Sequence, residues 1–406
     1  MSRVIFVNRT YWPGEEATAQ VLTDLAEGLA GKGHDIHVIT GRRRGLPETD
    51  QHRGVKILRL GSLGSPPAGF SVIAKVRAFS GFLFAARRAL SAQVRPGDRI
   101  VLLSDPPLLG PAVSGPAERR GARCLHWVQD IYPEIAMELL GTRSLGLLRG
   151  VRDRAWRRAA GCVAVSESMA RTILAHGVGR SNLRTIPNWA PRELEVLPDP
   201  AAVCAWRRAH GLDDTFLAGY SGNLGRAHDL EVVLRSAEHL RNARGLTLAF
   251  VGDGPQREAL ERSVAHAGLG FIRFLPPQPR KDLALALSAI DVHLVSQRPS
   301  CQALVFPSKL YGIAAVARPV ISIGAPESEL ARLVTGHGFG VHHAPDDAVG
   351  LAHSIQDLQG DREQRDVRGL AARAFYLRFG RFEHALGAWT DLLQRVDGRL
   401  PLSSNG

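Results

Sequence analysis

The run FPSKLYG at residues 306–312 carries residue types well suited to hold a phosphorylated ligand. Proline and serine at the start of a predicted apolar helix leave backbone N–H groups free, and Lys309 lies in the first turn. The helix dipole disfavours a cation there unless an anion is bound, so a diphosphate explains Lys309 better than helix stability does. The alternative is a solvated lysine beside an ordinary helix cap.

Two glycine-containing turns in the same half of the chain are suited to the same chemistry. The run YSGNLGR at 220–226 follows a predicted strand and precedes a helix, and GDGP at 252–255 follows another strand. Glycine lets backbone amides approach an anion closely, and Arg226 offers a forked guanidinium donor. Each turn is weak support on its own, because glycines at strand-to-helix turns are as often ordinary turn residues.

These turns belong to two successive sets of alternating strands and helices. The alternation predicts an α/β protein with two doubly wound, Rossmann-like domains that face a cleft at the carboxyl ends of their strands. Strands are expected at 4–8, 35–40, 55–60, 99–103, 216–220, 246–251, 271–275, 291–295 and 319–323, and helices of the first set at 17–30 and 70–93.

The expected domain boundary is a proline-rich, charged stretch at 188–200, which is typical of an interdomain linker. We predict a first domain over 1–190 and a second over 191–378, and the length of 406 residues agrees with two domains. Residues 379–400 are predicted to form a terminal amphipathic helix, because apolar side chains recur there at helical spacing.

Charge and cysteine content narrow the classes of partner. The chain has 51 Lys and Arg against 39 Asp and Glu, a formal net charge of +12. This excess attracts phosphorylated small molecules, anionic lipid or nucleic acid, but no nucleic-acid recognition motif is present and we do not expect that partner. Four widely spaced cysteines and the lack of an Asp-x-Asp motif argue against a disulfide framework, a zinc site or a bound divalent metal.

Motifs in both halves of the chain point to one family. They are YWPG at 11–14, KGHDIHVIT at 32–40 and HWVQDIYPE at 126–134, then the two glycine turns, the 306–312 run and RPV at 318–320. Together they resemble the family 4 glycosyltransferases of the GT-B type, in the branch of bacterial surface-polysaccharide enzymes such as the colanic acid and O-antigen transferases. The resemblance covers nearly the whole chain, with the motifs in the family's order.

The resemblance implies a reaction and a division of labour. A hexosyl or N-acetylhexosaminyl group would pass from a nucleotide-diphosphate sugar, with UDP as the family default, to a polyprenyl diphosphate-linked or saccharide acceptor. The transfer would serve cell-surface polysaccharide or lipopolysaccharide synthesis, would retain anomeric configuration and would need no cofactor besides the nucleotide-sugar substrate. In that family the second domain binds the nucleotide sugar, the first presents the acceptor, and the terminal helix crosses back to the first domain.

Site residues are carried over by position within this resemblance. Lys309 and Arg226 are expected to be catalytic by stabilising the departing diphosphate, and Asp130 by acting as a base or orienting the acceptor. A capping carboxylate in its loop is the alternative interpretation of Asp130. The expected donor-binding residues are Gly222, Asn223, Gly252, Pro277, Ser308 and Lys309, and the expected acceptor-side residues are Gly14 and Glu16.

The sequence departs from the family at several positions. Many relatives carry one glutamate for the transferred sugar and one for the ribose, and Leu304 and Gly312 stand at those places. Gln129 replaces an expected histidine, and Asn223 and His228 replace the customary Arg and Lys of the phosphate loop. We predict a variant donor pocket. Two alternatives stay open: a non-catalytic nucleotide-sugar-binding partner, and a GT-B epimerase that releases an altered sugar nucleotide without any acceptor.

Basic residues lie beside aromatic residues at two places in the first half, which favours peripheral contact with an anionic membrane surface. Amphipathic helices whose arginines face water are the alternative. The amino terminus lacks the features of a signal peptide, and no uncharged apolar stretch approaches about 20 residues, so we expect a cytoplasmic protein on the inner face of the cell membrane. The two groups are Lys75, Arg77, Phe79, Phe82, Phe84, Arg87 and Arg88, and Arg149, Arg152, Arg154, Trp156, Arg157 and Arg158.

Overall fold

The structure, a computed structural model, describes residues 3–61 and 72–398. It divides into two compact units. The first domain runs up to Pro187 and also contains Ala303–Phe306 and the residues from Glu383, and the second domain contains Asn188–Gln302 and Pro307–Phe382. Phe70, at the expected start of a helix, residues 399 and 400 of the expected terminal segment, and the side chain of Lys75 lie outside the described residues.

Strands and helices alternate along the first domain. Its elements are β1 (Val4–Val7), α1 (Ala17–Gly31), β2 (Ile36–Gly41), β3 (Thr49–His52), β4 (Val55–Leu60), α2 (Val72–Gln93), β5 (Arg99–Leu103), α3 (Leu109–Glu118), β6 (Arg123–Val128), α4 (Glu134–Leu140), α5 (Leu148–Arg158), β7 (Gly161–Ala164), α6 (Glu167–Ala175) and β8 (Leu183–Thr185). The described strands form one sheet in the order β3-β4-β2-β1-β5-β6-β7-β8, in which only β3 pairs antiparallel. Strands β1 and β5 are buried throughout, as expected for the centre of a sheet covered on both faces.

The register of this sheet brings the polar residues after three strands to one edge. Val7 of β1 pairs with Leu102 of β5, and Leu103 pairs with Trp127 of β6. Parallel strands in register end at the same edge, where open α/β sheets bind ligands. The loops that follow β5 and β6 place Asp105 and Asp130 there.

The second domain repeats the alternation with a smaller sheet. Its elements, followed by the terminal helix, are α7 (Pro200–Ala209), β9 (Phe216–Ser221), α8 (Glu231–His239), β10 (Leu246–Val251), α9 (Arg257–Ala267), β11 (Ile272–Leu275), α10 (Leu283–Ala289), β12 (Val292–Ser296), α11 (Lys309–Ala315), β13 (Val320–Ile323), α12 (Glu329–Gly336), β14 (Gly340–His343), α13 (Ala348–Gly360), α14 (Arg362–Phe375) and α15 (Phe382–Gly398). The described strands are all parallel, in the order β11-β10-β9-β12-β13-β14. The predicted α/β class with two Rossmann-like domains is confirmed.

The register of the second sheet gathers the glycine turns. Val251 at the end of β10 pairs with Ser221 of β9 on one side and with Leu275 of β11 on the other. The residues that follow these three strands therefore lie side by side at the carboxyl edge. Gly222 and Gly252 are two of them.

Helix α15 is packed into the core of the first domain. Trp389 is fully buried, with its ring centroid 4.8 Å from that of Trp127 and 6.5 Å from that of Phe6. The guanidinium of Arg99, itself buried, donates to the carbonyl of Leu393 at 3.0 Å. Indole rings that bury this much surface contribute strongly to a core.

The prediction that two groups of basic and aromatic residues face a membrane is wrong for three of those residues. Phe82 and Trp156 are buried, and Arg152 is buried beside Trp156 with its guanidinium 4.1 Å from the indole centroid. These residues belong to the apolar sides of α2 and α5, whereas Phe84 is exposed. Among the described helices, none is long and apolar enough to cross a bilayer.

Candidate active site

The two glycine turns of the second domain pack directly on each other. A Cβ on Gly252 would lie 2.1 Å from the carbonyl oxygen of Gly222, and both glycines have positive φ, 140° and 115°. The backbone N–H of Gly222 donates to the backbone carbonyl of Val251 at 2.8 Å, and that of Leu224 donates to the backbone carbonyl of Asp253 at 2.8 Å. Only glycine fits such an approach of two main chains. The turns therefore form one rigid surface at the edge of the sheet.

The amino group of Lys309 lies at this surface. Its Nζ is 3.5 Å from the centroid of the Tyr220 ring, and a Cβ on Gly222 would lie 3.3 Å from it. The Nζ atom is buried and has no hydrogen-bond partner among the described residues. Burial holds the pKa of Lys309 well below its usual range. A buried amino group that contacts an aromatic ring but makes no hydrogen bond is suited to bind an anion with acceptor oxygens.

Two histidines near Lys309 are kept neutral. Burial lowers the pKa of His228 and of His293 to about 3, and the charge of Lys309 adds to the effect in both. Nδ1 of His228 lies 2.6 Å from the carbonyl oxygen of Ser296, so we assign the proton to Nδ1. Its Nε2 is then an acceptor. Sequence reasoning named His228 only as a departure from the family.

The loop after Gly222 is fastened from two sides. The side chain of Gln256 donates to the carbonyls of Gly225, at 2.6 Å, and His228, at 3.1 Å. The Ser296 hydroxyl donates to the carbonyl of Asp229 at 2.6 Å and accepts its backbone N–H at 3.0 Å. Sequence analysis missed Tyr220, Gln256 and Ser296 as site residues, because their roles depend on pairing between distant strands.

The other predicted donor-side residues are distributed more openly. Asn223 and Arg226 are exposed, and no hydrogen bond or ion pair of the Arg226 side chain is found within the described part of the chain. Pro277 is exposed two residues beyond β11, and Ser308 is half-buried just before α11 without capping it. The structure thus joins Gly222, Gly252 and Lys309 in one cluster. No described contact joins Arg226 or Pro277 to it.

The positions of the two family glutamates serve other purposes here. The carbonyl of Leu304 accepts the backbone N–H of Ile131 at 2.8 Å within the first domain. A Cβ on Gly312 would lie 3.3 Å from Leu194 and 3.6 Å from Leu287, so this position is packed against aliphatic side chains. No carboxylate occupies either place.

Asp130 lies in the loop after β6 of the first domain, where two contacts fix its backbone. Its N–H donates to the hydroxyl of Ser104 at 3.0 Å, and it forms an antiparallel bridge with Val305. Burial, assisted by the charge of Asp105, raises the pKa of Asp130 to about 7. The residue that caps α4 is Pro133, with no side-chain hydrogen bond, so Asp130 does not cap that helix. A carboxyl that titrates near neutrality is suited to proton transfer.

The predicted acceptor-side loop is close to a second group of charges. The carboxylate of Asp105 accepts hydrogen bonds from Nε and Nη2 of Arg9, at 3.0 and 2.9 Å. Burial nevertheless raises the pKa of Asp105, and the charge of Glu16 adds to the rise. A Cβ on Gly14 would lie 2.4 Å from the Glu16 carboxylate and 3.3 Å from the Arg43 guanidinium. The Glu16 side chain can move aside, but a Cβ at 14 would also lie 2.8 Å from the carbonyl oxygen of Tyr11, and this backbone contact favours glycine there.

His126 is a site neighbour that the sequence did not reveal. It lines a cavity of about 40 Å³ together with Ser104, Asp130 and Tyr132. Burial lowers its pKa to about 4, and its Nε2 has no hydrogen-bond partner among the described residues. His126 opens the motif at 126–134, but the residue pattern of that motif does not assign it to the site. Within the described part of the chain, no group of three or more His, Cys, Asp or Glu side chains is arranged so that it could hold a metal ion.

Comparison with known proteins agrees with this architecture. Residues 17–189 match the family described as "Glycosyl transferase 4-like domain", and residues 215–361 match "Glycosyl transferases group 1". A curated relative is the putative colanic acid biosynthesis glycosyl transferase WcaI of Escherichia coli K12, 26% identical over 374 residues, which cover 87% of this chain and 91% of WcaI.

Two solved structures share the fold over nearly their whole length. Sucrose-phosphate synthase from Thermosynechococcus elongatus superposes with a TM-score of 0.77 and 18% identity, over 98% of this chain and 100% of that one. Anabaena HepE, solved in complex with UDP-glucose, has a TM-score of 0.74 and 16% identity, over 97% and 100%. The family matches in both halves and the shared fold lead to one assignment. The chain belongs to the glycosyltransferases of the GT-B type, with a glycosyl transferase 4-like domain followed by a group 1 domain.

Proposed function

We propose that this glycosyltransferase moves a sugar from a UDP-sugar to a lipid-linked or saccharide acceptor in the synthesis of a bacterial cell-surface polysaccharide. The observation that carries the proposal is the buried, unpartnered amino group of Lys309 at the glycine surface of the second domain. The name of WcaI supports the pathway, and the complex of HepE with UDP-glucose supports the donor.

Lys309 is assigned to the donor diphosphate. Removing an amine from water without a hydrogen-bond partner costs free energy, which a phosphate oxygen would recover by accepting from it. Gly222 leaves room for the approach, since it has no side chain between its backbone and Nζ. The exposed Arg226 is free to add a forked donor once a ligand is present.

The transfer breaks the bond between the anomeric carbon and a phosphate oxygen and forms a bond from that carbon to the acceptor hydroxyl. Negative charge develops on the leaving diphosphate, and Lys309 and Arg226 stabilise it electrostatically. The acceptor proton passes to a phosphate oxygen of the leaving group, with retention of configuration as in the family. Asp130, when its carboxyl is ionised, orients the acceptor hydroxyl by accepting its hydrogen bond, and burial raises the pKa of this carboxyl to about 7.

The test is calorimetry of the purified protein with UDP, GDP, dTDP and ADP, alongside Lys309→Ala. We expect UDP to bind best and Lys309→Ala to bind it at least about tenfold more weakly, as for loss of a charge-assisted hydrogen bond. The matched control is Lys281→Ala, an exposed lysine of the same domain, which should bind UDP like the wild type. Absence of binding to all four nucleotides, or equal binding by Lys309→Ala, would reject the donor site.

One observation favours a second candidate, a nucleotide-sugar-binding partner without activity. Leu304 and Gly312 leave the usual carboxylate positions without a carboxylate. Incubation with UDP-sugars and a lipid-linked acceptor separates the two. Release of UDP only with acceptor establishes a transferase, whereas tight binding without turnover establishes the partner. Conversion of the UDP-sugar without acceptor would instead establish an epimerase.

A further inference from the structure

The segment 140–158 of the first domain presents large apolar side chains to solvent. It comprises the end of α4, a 3₁₀ turn at Ser144–Leu147 and α5. Leu147 is 90% exposed, Leu140 is 56% exposed and Val151 is 49% exposed. Single exposed leucines are common, but here three large apolar side chains are exposed within one short stretch of chain, and Leu147 and Val151 are four residues apart, which places them on the same side of the helical segment.

Arginines surround these apolar residues. Leu147, Val151, Arg154 and Arg158 are all exposed and follow one another at intervals of four, three and four, which places them along one face of the helix. Arg158 forms an ion pair with Glu118 at 3.6 Å. Arg143 is exposed four residues before Leu147, and no side-chain partner of Arg143 or Arg154 is found in the described residues. The nearby exposed acidic residue is Glu138 on α4. The outer face is therefore apolar and cationic.

The inner face of α5 is firmly anchored, so the exposure of the outer face is a property of the folded domain. Both arms of the Arg152 guanidinium donate to Glu134, each at 2.8 Å, and one also donates to the carbonyl of Tyr132 at 2.7 Å. Trp156 is buried next to Arg152. The carboxylate of Asp153, the acidic residue of the segment, is taken up by Arg152 at 2.6 Å and His176 at 3.0 Å. None of these contacts uses the outer face.

We propose that the outer face of segment 140–158 is the surface by which the protein docks on an anionic lipid bilayer. Leu140, Leu147 and Val151 would enter the boundary between headgroups and acyl chains, while Arg143 and Arg154 reach the lipid phosphates. Leucine beside unpaired arginine suits a bilayer, because long cationic side chains can extend to headgroups while apolar ones insert. A nucleic acid would use the arginines but leave the apolar residues in water.

This inference rests on the proposed function in one respect, since a lipid-linked acceptor would bring the enzyme to a membrane. The experiment is co-sedimentation of the full chain with vesicles of phosphatidylglycerol and phosphatidylcholine, and with phosphatidylcholine alone. The test variants are Leu147→Glu with Val151→Glu, and Arg143→Glu with Arg154→Glu. The matched control is Val367→Glu with Leu370→Glu on α14, whose side chains are 58% and 71% exposed.

We expect the wild type to bind the mixed vesicles, with little binding to phosphatidylcholine alone. Each test variant should lose about tenfold or more in partitioning, because buried apolar area and headgroup attraction both contribute. The control variant should bind like the wild type, and all variants should unfold at the wild-type temperature because the changed positions are exposed.

Three results would overturn the inference: no binding of the wild type to anionic vesicles, equal binding to phosphatidylcholine alone, or unchanged binding of both test variants. UDP affinity measured on the same samples separates the two proposals. Loss of vesicle binding with UDP affinity unchanged supports the docking surface. A wild type that binds vesicles through this face but binds no nucleotide would support the surface while rejecting the proposed function.

Discussion

The Nζ atom of Lys309 lies 3.5 Å from the centroid of the Tyr220 ring, and the hydroxyl of that ring donates to the carbonyl of Asn223 at 2.9 Å. One tyrosine thus supports the lysine with its face and the glycine turn with its hydroxyl. The ring is fixed by burial in the sheet as well. Without an anion, this arrangement holds a cationic side chain where its charge is poorly solvated.

Lys309→Met should stabilise the ligand-free protein while abolishing nucleotide binding. An apolar side chain of similar length removes the desolvated amine, and we expect a gain of about 1–2 kcal/mol in the free energy of unfolding. Urea denaturation with and without UDP measures both effects. A variant less stable than the wild type would mean that the contact with Tyr220 outweighs the desolvation of the amine.

Binding of UDP should draw a proton onto Lys309. The free protein holds the pKa of Lys309 well below its usual range near 10.5, and a bound diphosphate raises it again. The affinity for UDP should therefore decline as the pH rises above the pKa that Lys309 has in the free protein. Calorimetry in two mildly alkaline buffers of different ionisation enthalpy detects the uptake, and heats that do not depend on the buffer would contradict it.

The same depressed pKa has a consequence for stability without ligand. At pH values between the lowered pKa of Lys309 in the folded protein and its usual pKa in the unfolded chain, the unfolded chain holds a proton that the folded chain has lost. Folding is then linked to proton release, so this group makes the protein more stable as pH rises through that window. Lys309→Met should lack this part of the pH dependence.

Asp130→Asn should change the pH dependence of stability in the direction opposite to that of Lys309→Met. The folded protein holds the proton of Asp130 up to about pH 7, whereas an unfolded aspartate loses it near its ordinary pKa. The contribution of Asp130 is full at acidic pH and is lost as pH rises through about 7. The variant should therefore gain stability relative to the wild type as the pH rises from 3.8 to about 7 and keep a constant difference above that, as measured by chemical denaturation.

Transfer activity provides a second readout for Asp130. If the ionised carboxylate orients the acceptor, the wild-type rate should rise with pH through about 7, and Asp130→Asn should be about 100-fold slower or more. UDP affinity should be unchanged in the variant, because the donor is assigned to the second domain. A variant with full activity would leave Asp130 with a purely structural role.

Gly252→Ala should unfold or severely destabilise the second domain. The added Cβ would meet the carbonyl oxygen of Gly222 at 2.1 Å, and the φ of 140° is unfavourable for any other residue. We expect a loss of about 3 kcal/mol or more in the free energy of unfolding. The control is Gly336→Ala at the end of α12, where a Cβ would meet nothing within 4 Å. That variant should stay within about 1 kcal/mol of the wild type.

The sequence predicted most of the central strands and the turns that follow them. Runs such as Leu246–Val251 are apolar and β-branched, and the glycines after them mark the turns, so local chemistry sufficed. The singular position of Lys309 was also visible, as a cation at a helix start. The sequence did not reveal which residue Lys309 contacts, because the Tyr220 ring meets Lys309 only through the register of β9 in the folded sheet.

The arginine-rich helix α5 shows where sequence reasoning failed. Its arginines were expected to face either a membrane or water, yet Arg152 is buried against Trp156 and bound to Glu134, which lies 18 residues earlier in the chain. A buried ion pair of this kind depends on a partner from another helix, which no helical period reveals. The bridge between Asp130 and Val305 is a still longer-range case.

The first domain is not a contiguous stretch of chain. A fragment ending at Pro187 would lack Trp389, and the pocket between Phe6 and Trp127 that receives its ring would open to water. It would also lose the carbonyl of Leu393 that binds the buried Arg99, and the strand-like partner of Asp130 at Val305. Dissecting this enzyme into halves therefore cannot follow the order of the sequence, because its amino-terminal half is completed by residues that are synthesised only after the second domain.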